Sequence, residues 1–263
     1  MNENMQENMQ DELTRVIEPE VFKMGAVPRL ISLFTNPGEL MKNIKHHPVI
    51  LVPFLVAVAL GLLAAIPLQT VTDMQFQEMS HISIERYGFD IFAIADYGDI
   101  YGDFDMEAVM DATVIVLLIA SALAGPLFLA LLTAVGLIIF SKIMRGEATF
   151  GQLFSMYLHI YVVFAFGSLI SISLMSFTNT LTDMTSLAAL LPHGNMAEPS
   201  FLFASTVSIF SVWTYFLMGL GFKVLNNVSA VKATITTVIM FLIYAGITVV
   251  MGMLTWWMYD VMI

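Results

Sequence analysis

Apolar residues along this chain come in long unbroken runs, not in alternation and not in one-faced helical stripes. Five runs stand out: about 48–68, 112–140, 153–177, 201–222 and 233–258. Each supplies the ~20 residues a helix needs to cross ~30 Å of hydrocarbon. The pattern predicts an all-α integral membrane protein with five transmembrane helices. The second run is longer than a span requires, so tilt, a kink or projection is expected there. Pro126, preceded by Gly125 near the middle of that run, is the expected kink. Residues 1–30 read as a polar, partly disordered N-terminus and 31–263 as the membrane domain. The first residues, MNENMQENMQDEL, lack the basic start and apolar run of a cleavable signal, so targeting is expected to fall to the first span.

Polar residues between the runs supply direction. Arg15, Lys23, Arg29, Lys42 and Lys45 precede the first run; Lys142 and Arg145 lie between the second and third; Lys223 and Lys232 flank the fourth link. These are nine of the ten basic residues, and in a five-span chain all fall on one side. The other side holds Arg86, ten carboxylates between Asp73 and Asp111, and a loop from 178 to 200 with no Lys or Arg. The positive-inside rule then predicts a multi-pass protein of the cell membrane, N-terminus cytoplasmic and C-terminus outside. Trp256, Trp257 and Tyr259 are expected to anchor the outer end of the last span.

Two helix starts are marked on the basic side. In Phe34-Thr35-Asn36-Pro37-Gly38-Glu39, Asn36 can cap, Pro37 takes the first helical position and Glu39 the third. The following Leu40, Met41 and Ile44 against Lys42 and Lys45 predict a short interfacial helix. In the second start, Thr149 can cap and Gln152 answer it three residues later. Both motifs are read either as shaping helix approach to the membrane or as a docking surface. Ala57, Gly61 and Ala65, and likewise Ser121 and Gly125, are spaced for close helix contact. Packing within one chain is the first reading of these faces and a homo-oligomer the second.

Composition excludes more chemistry than it suggests. The chain is 58% hydrophobic, 12% charged and formally −11, with no cysteine. Disulfides and thiolate zinc sites are absent, and the acidic balance argues against nucleic acid as a partner. No Asp, Glu, Lys or Arg lies within the five runs, which weighs against an ion-coupled pump. Zinc-protease, nucleophile-elbow and phosphate-loop motifs are not found, so no catalytic residue, cofactor or metal is assigned and the chain is expected not to be an enzyme. Asn227-Val228-Ser229 fits a glycosylation pattern but falls on the expected cytoplasmic side. His159, inside the third run, is read as a hydrogen-bonded structural residue with gating as the alternative. The acidic stretch Asp96, Asp99, Asp103, Asp105 and Glu107 is read as a solvated loop; a cation site is the alternative, although the spacing is not that of an EF-hand.

Taken together, Phe34-Thr35-Asn36-Pro37 with Lys42 and Pro48, then Gly146, Thr149, Gly151 and Gln152, then Trp213, Gly219 and Gly221, then Ser229, Lys232 and Ala233, make the chain resemble a bacterial member of the YIP family, the Ypt/Rab-interacting proteins, from about Ile31 to Gly252. The resemblance implies a five-helix membrane domain with a cytoplasmic N-terminus and brings no catalytic residue. Its eukaryotic members act in vesicle trafficking with prenylated small GTPases, and some bacterial members are thought to accompany ABC-type exporters. The expected function is therefore a non-enzymatic membrane scaffold or accessory subunit working in the bilayer with another membrane protein or complex. The alternative is a channel or carrier for a small solute or cation.

Overall fold

The computed structural model describes residues 23–88, 106–191 and 198–262. The expected disordered lead-in and the acidic Asp96, Asp99, Asp103 and Asp105 lie outside the described residues, and Glu107 is placed only as backbone. The described chain is helical: α1 Ala26–Thr35, α2 Pro37–His46, α3 Leu51–Tyr87, α4 Met106–Ile143, α5 Phe150–Thr178, α6 Pro199–Thr206, α7 Ile209–Asn226 and α8 Ala230–Met262, with a 3-10 turn at Leu187–Leu190. Helix is the form these apolar runs must take, because hydrocarbon offers no water to satisfy exposed backbone groups. Five stretches are long and apolar enough to cross a bilayer: Leu51–Glu78, Val116–Ile143, Phe150–Thr178, Ile209–Asn226 and Ala230–Thr255.

α5 is the hub. It packs against α3, α4 and α7, and α1 and α2 also rest on it, Phe34 reaching Phe166. Its buried side chains include Leu153, Met156, Ile160 and Val163, which meet Leu217 and Phe222 of α7 and Leu137 of α4 in one apolar core. α4 and α8 turn large apolar side chains outward, among them Leu117, Phe128, Leu242 and Ile247, as helices facing lipid do. The Ala57–Gly61–Ala65 stripe works inside the chain, a β-carbon at Gly61 falling 3.5 Å from that of Ala122 in α4. Gly125, by contrast, has nothing near the position its β-carbon would occupy.

Two helices outrun their apolar stretches. α3 has 37 residues and α4 has 38, so the expected first loop from 71 to 111 is helical at both ends. α3 carries Pro67 within it and stops at Gly88, whose φ of 79° suits glycine. Pro126 is likewise inside α4, as expected. The expected helix after Asn36 is present as α2, and the apolar α1 precedes it. The apolar side of α2 — Leu40, Met41 and Ile44, all fully buried — faces protein, not lipid.

The fourth span is corrected from 201–222 to Ile209–Asn226. The chain breaks at Val207 and Ser208. Ser208 caps α7 in a reciprocal box, accepting from the Ser211 amide at 3.1 Å while its own amide donates to Ser211 Oγ at 2.8 Å. The freed backbone is satisfied by the preceding loop: Leu187 N donates to Val207 O at 2.9 Å and Ile209 N to Thr185 O at 3.1 Å. Hydropathy reads through this break because the four residues around it are small or apolar. α6 then folds onto α8, with Phe203 edge-on to Phe241 and Leu202 beside Gly252.

Candidate functional site

The two faces of the bundle differ in chemistry. At one, the ends of α2, α4 and α7 meet the starts of α3, α5 and α8, and the lysines gather there. Among the described residues no group of three or more His, Asp or Glu is close enough to hold a metal. This basic face is instead a hydrogen-bonded interlock of three separate links.

Asn226, 1% exposed at the end of α7, is its centre. Its Oδ1 accepts from Ser141 Oγ at 2.5 Å and from the Ala148 amide at 3.2 Å; its Nδ2 donates to Phe222 O at 3.0 Å. The α4–α5 link is thereby pinned to α7. Gly146 lies so close to the Asn226 amide that a β-carbon would overlap it, which is the physical reason for glycine there. Arg145 beside it takes a left-handed φ of 58° to make the turn.

Thr149 and Gln152 form the expected capping box: Thr149 N donates to Gln152 Oε1 at 2.8 Å, and Gln152 N to Thr149 Oγ1 at 3.4 Å. The Gln152 amide also donates to Lys45 O at 2.6 Å, tying α5 to the end of α2. Asn36 accepts from Glu39 N at 3.5 Å, with Pro37 at the first helical position. Ser155 joins α5 to the start of α3, donating to Val49 O at 2.7 Å and accepting from Val49 N at 3.0 Å. Lys232 donates to Met144 O at 3.1 Å. Trp213 Nε1 donates to Leu33 O at 3.3 Å, and Phe34 packs edge-on to Phe166. Gly219 admits Thr237 of α8 closely; no neighbour crowds Gly151.

Of the residues singled out in the sequence, then, Gly146, Thr149, Gln152 and Lys232 converge here, whereas Asn36 and Trp213 lie toward the other ends of α2 and α7. His159 and Pro126 do not converge here either. His159 is buried two turns along α5, its Nδ1 2.8 Å from Ser155 O. The carbonyl can only accept, so Nδ1 carries the proton. Sequence reasoning missed Asn226, Ser141, Ser155 and Arg29. Arg29 is 2% exposed and donates to Met24 O at 3.1 Å and His47 O at 3.0 Å, stapling α1 to the α2–α3 link. Burial lowers its pKa from the ordinary arginine value. An Arg between two apolar residues of a helical pattern would have been the signal for it.

The Yip1 domain pattern matches residues 31–262, from within α1 to the end of α8. The chain belongs to the Yip1 domain family. Among curated relatives, the membrane protein YknW of Bacillus subtilis (strain 168) is 25% identical over 233 residues, covering 86% of this chain and 89% of that protein. No solved structure matches the chain significantly. The Yip1 match thus takes in all five apolar spans and the interlock around Asn226, with Arg29 just before it.

Proposed function

We propose that this Yip1-domain chain is a non-enzymatic scaffold or accessory subunit of the cell membrane, inserted N-terminus in and C-terminus out, whose basic face docks another membrane protein or complex. The observation that carries the reading is the use made of Gly146, Thr149, Gln152 and Lys232, four of the residues behind the family resemblance: at the basic face they are engaged in holding three links together, not in presenting reactive groups. The nine basic residues assigned to that side support a cytoplasmic orientation. An ABC-type exporter is the partner class the family resemblance favours.

Purification from mild detergent followed by mass spectrometry should recover a stoichiometric membrane partner. Repeated recovery of the chain alone, with no loss of function traceable to another complex, would count against the reading. Orientation is separately testable, because the cysteine-free chain accepts clean single-cysteine probes. Ser229→Cys should be shielded from an impermeant thiol reagent in intact cells and Thr182→Cys labelled; the reverse pattern would invert the topology. A solute path draws less support: hydroxyls of Thr236, Thr237, Thr248 and Thr255 donate back to carbonyls of their own helix. Solute flux in reconstituted liposomes would revive it.

A further inference from the structure

We propose that the basic face carries a binding site for one anionic glycerophospholipid, its phosphate held by Lys45, His46 and Lys223 and one acyl chain laid in the groove between α7 and α8. Two adjoining cavities carry this inference. The first, about 380 Å³, lies between the ends of α2 and α7 and is lined by Lys42, Lys45, Lys223 and His46, with no carboxylate. The nearby acids are engaged at its rim: Glu39 lies 4.0 Å from Lys42, and Glu147 accepts from the Asn227 side chain at 2.6 Å. Asn227 Oδ1 in turn takes a proton of Lys45 Nζ at 2.7 Å, which holds that ammonium in place with two N–H groups to offer.

The second cavity, about 410 Å³, runs between α7 and α8 past Tyr215, Phe216, Gly219, Thr234 and Val238. It exists because Gly219 and Ala233 present little or no side chain there. The Thr237 hydroxyl in its wall is satisfied by Ala233 O at 2.9 Å. Lys223 lines both cavities. From Lys223 back to Tyr215, α7 rises roughly 12 Å at ~1.5 Å per residue. That is most of one leaflet of a ~30 Å hydrocarbon layer. A cationic cleft at headgroup level opening into an apolar groove of leaflet depth matches a lipid and not a free anion. The inference needs only the membrane-spanning reading and stands whether or not a protein partner is found.

Native mass spectrometry of the full chain, titrated with phosphatidylglycerol or with phosphatidylcholine of the same acyl chains, tests it. One phosphatidylglycerol should be retained per chain, with phosphatidylcholine held at least about tenfold more weakly. K45Q/K223Q should abolish that preference, while K142Q/R145Q, removing equal charge from exposed positions of the same face outside the cleft, should leave it unchanged. T234W, filling the groove from an exposed position, should weaken both lipids alike. Unchanged unfolding midpoints establish that the variants fold. Equal retention of the two lipids by the parent chain, an equal loss in K142Q/R145Q, no effect of T234W, or displacement of the lipid by millimolar inorganic phosphate would each overturn the proposal.

Discussion

Removal of the Asn226 side chain is the sharpest test of the interlock. In Asn226→Ala, two buried donors lose their acceptor: the Ser141 hydroxyl, 0% exposed, and the amide of Ala148, 2% exposed. The two are not equivalent. A hydroxyl rotates, and Ser141 can turn to a carbonyl of its own helix, so its loss amounts to about 1 kcal/mol. The Ala148 amide is fixed in its peptide plane, and leaving it buried and unpaired costs about 1–3 kcal/mol. Phe222 O loses an extra donor but keeps its place in the helix ladder. The expected total is about 2–4 kcal/mol. Ser141→Ala alone should cost about 0.5–1.5 kcal/mol, because Asn226 still serves Ala148. In the double variant the Ser141 change should add almost nothing, giving a coupling of about 1 kcal/mol. Equilibrium unfolding in mixed micelles, followed by tryptophan fluorescence and circular dichroism, measures all three. A cost of Asn226→Ala under about 0.5 kcal/mol, or strict additivity, would refute the interlock as a stabilising network.

Gly146→Ala should cost about 2–4 kcal/mol by the same assay, since the added methyl displaces the Asn226 amide, whereas Gly125→Ala, with open space at its β-carbon, should be neutral or stabilise by up to about 1 kcal/mol. Ser155→Ala should cost about 1–3 kcal/mol by stripping the hydrogen bonds from Val49, and Ser155→Thr should recover part of it if the pocket yields. Ser208→Ala should cost about 1 kcal/mol and raise hydrogen exchange in the first turn of α7; exchange unchanged there would mean that the break is held by the Thr185–Leu187 backbone alone.

What the sequence determined by itself follows from free energies that act locally or against the solvent. A run of apolar residues is a span because of its own transfer from water, whatever it touches. Caps at Asn36 and Thr149 reach only three residues ahead, so their geometry is written in the order of residues. The segregation of lysines is likewise legible, since it is counted along the chain. Tertiary structure decided everything that needs two distant segments. The fourth span ends at Ser208 because Thr185 and Leu187 arrive to pair its freed backbone; no run length contains that meeting. Gly146 is small because Asn226, eighty positions away, occupies the space its side chain would take. Asn226 itself reads as an ordinary polar residue past a helix end, and only the return of the α4–α5 link makes it a buried hub. Lys45, His46 and Lys223 form one cleft for the same reason: α2 and α7 are laid side by side, their C-terminal ends together, by packing that sequence spacing does not encode.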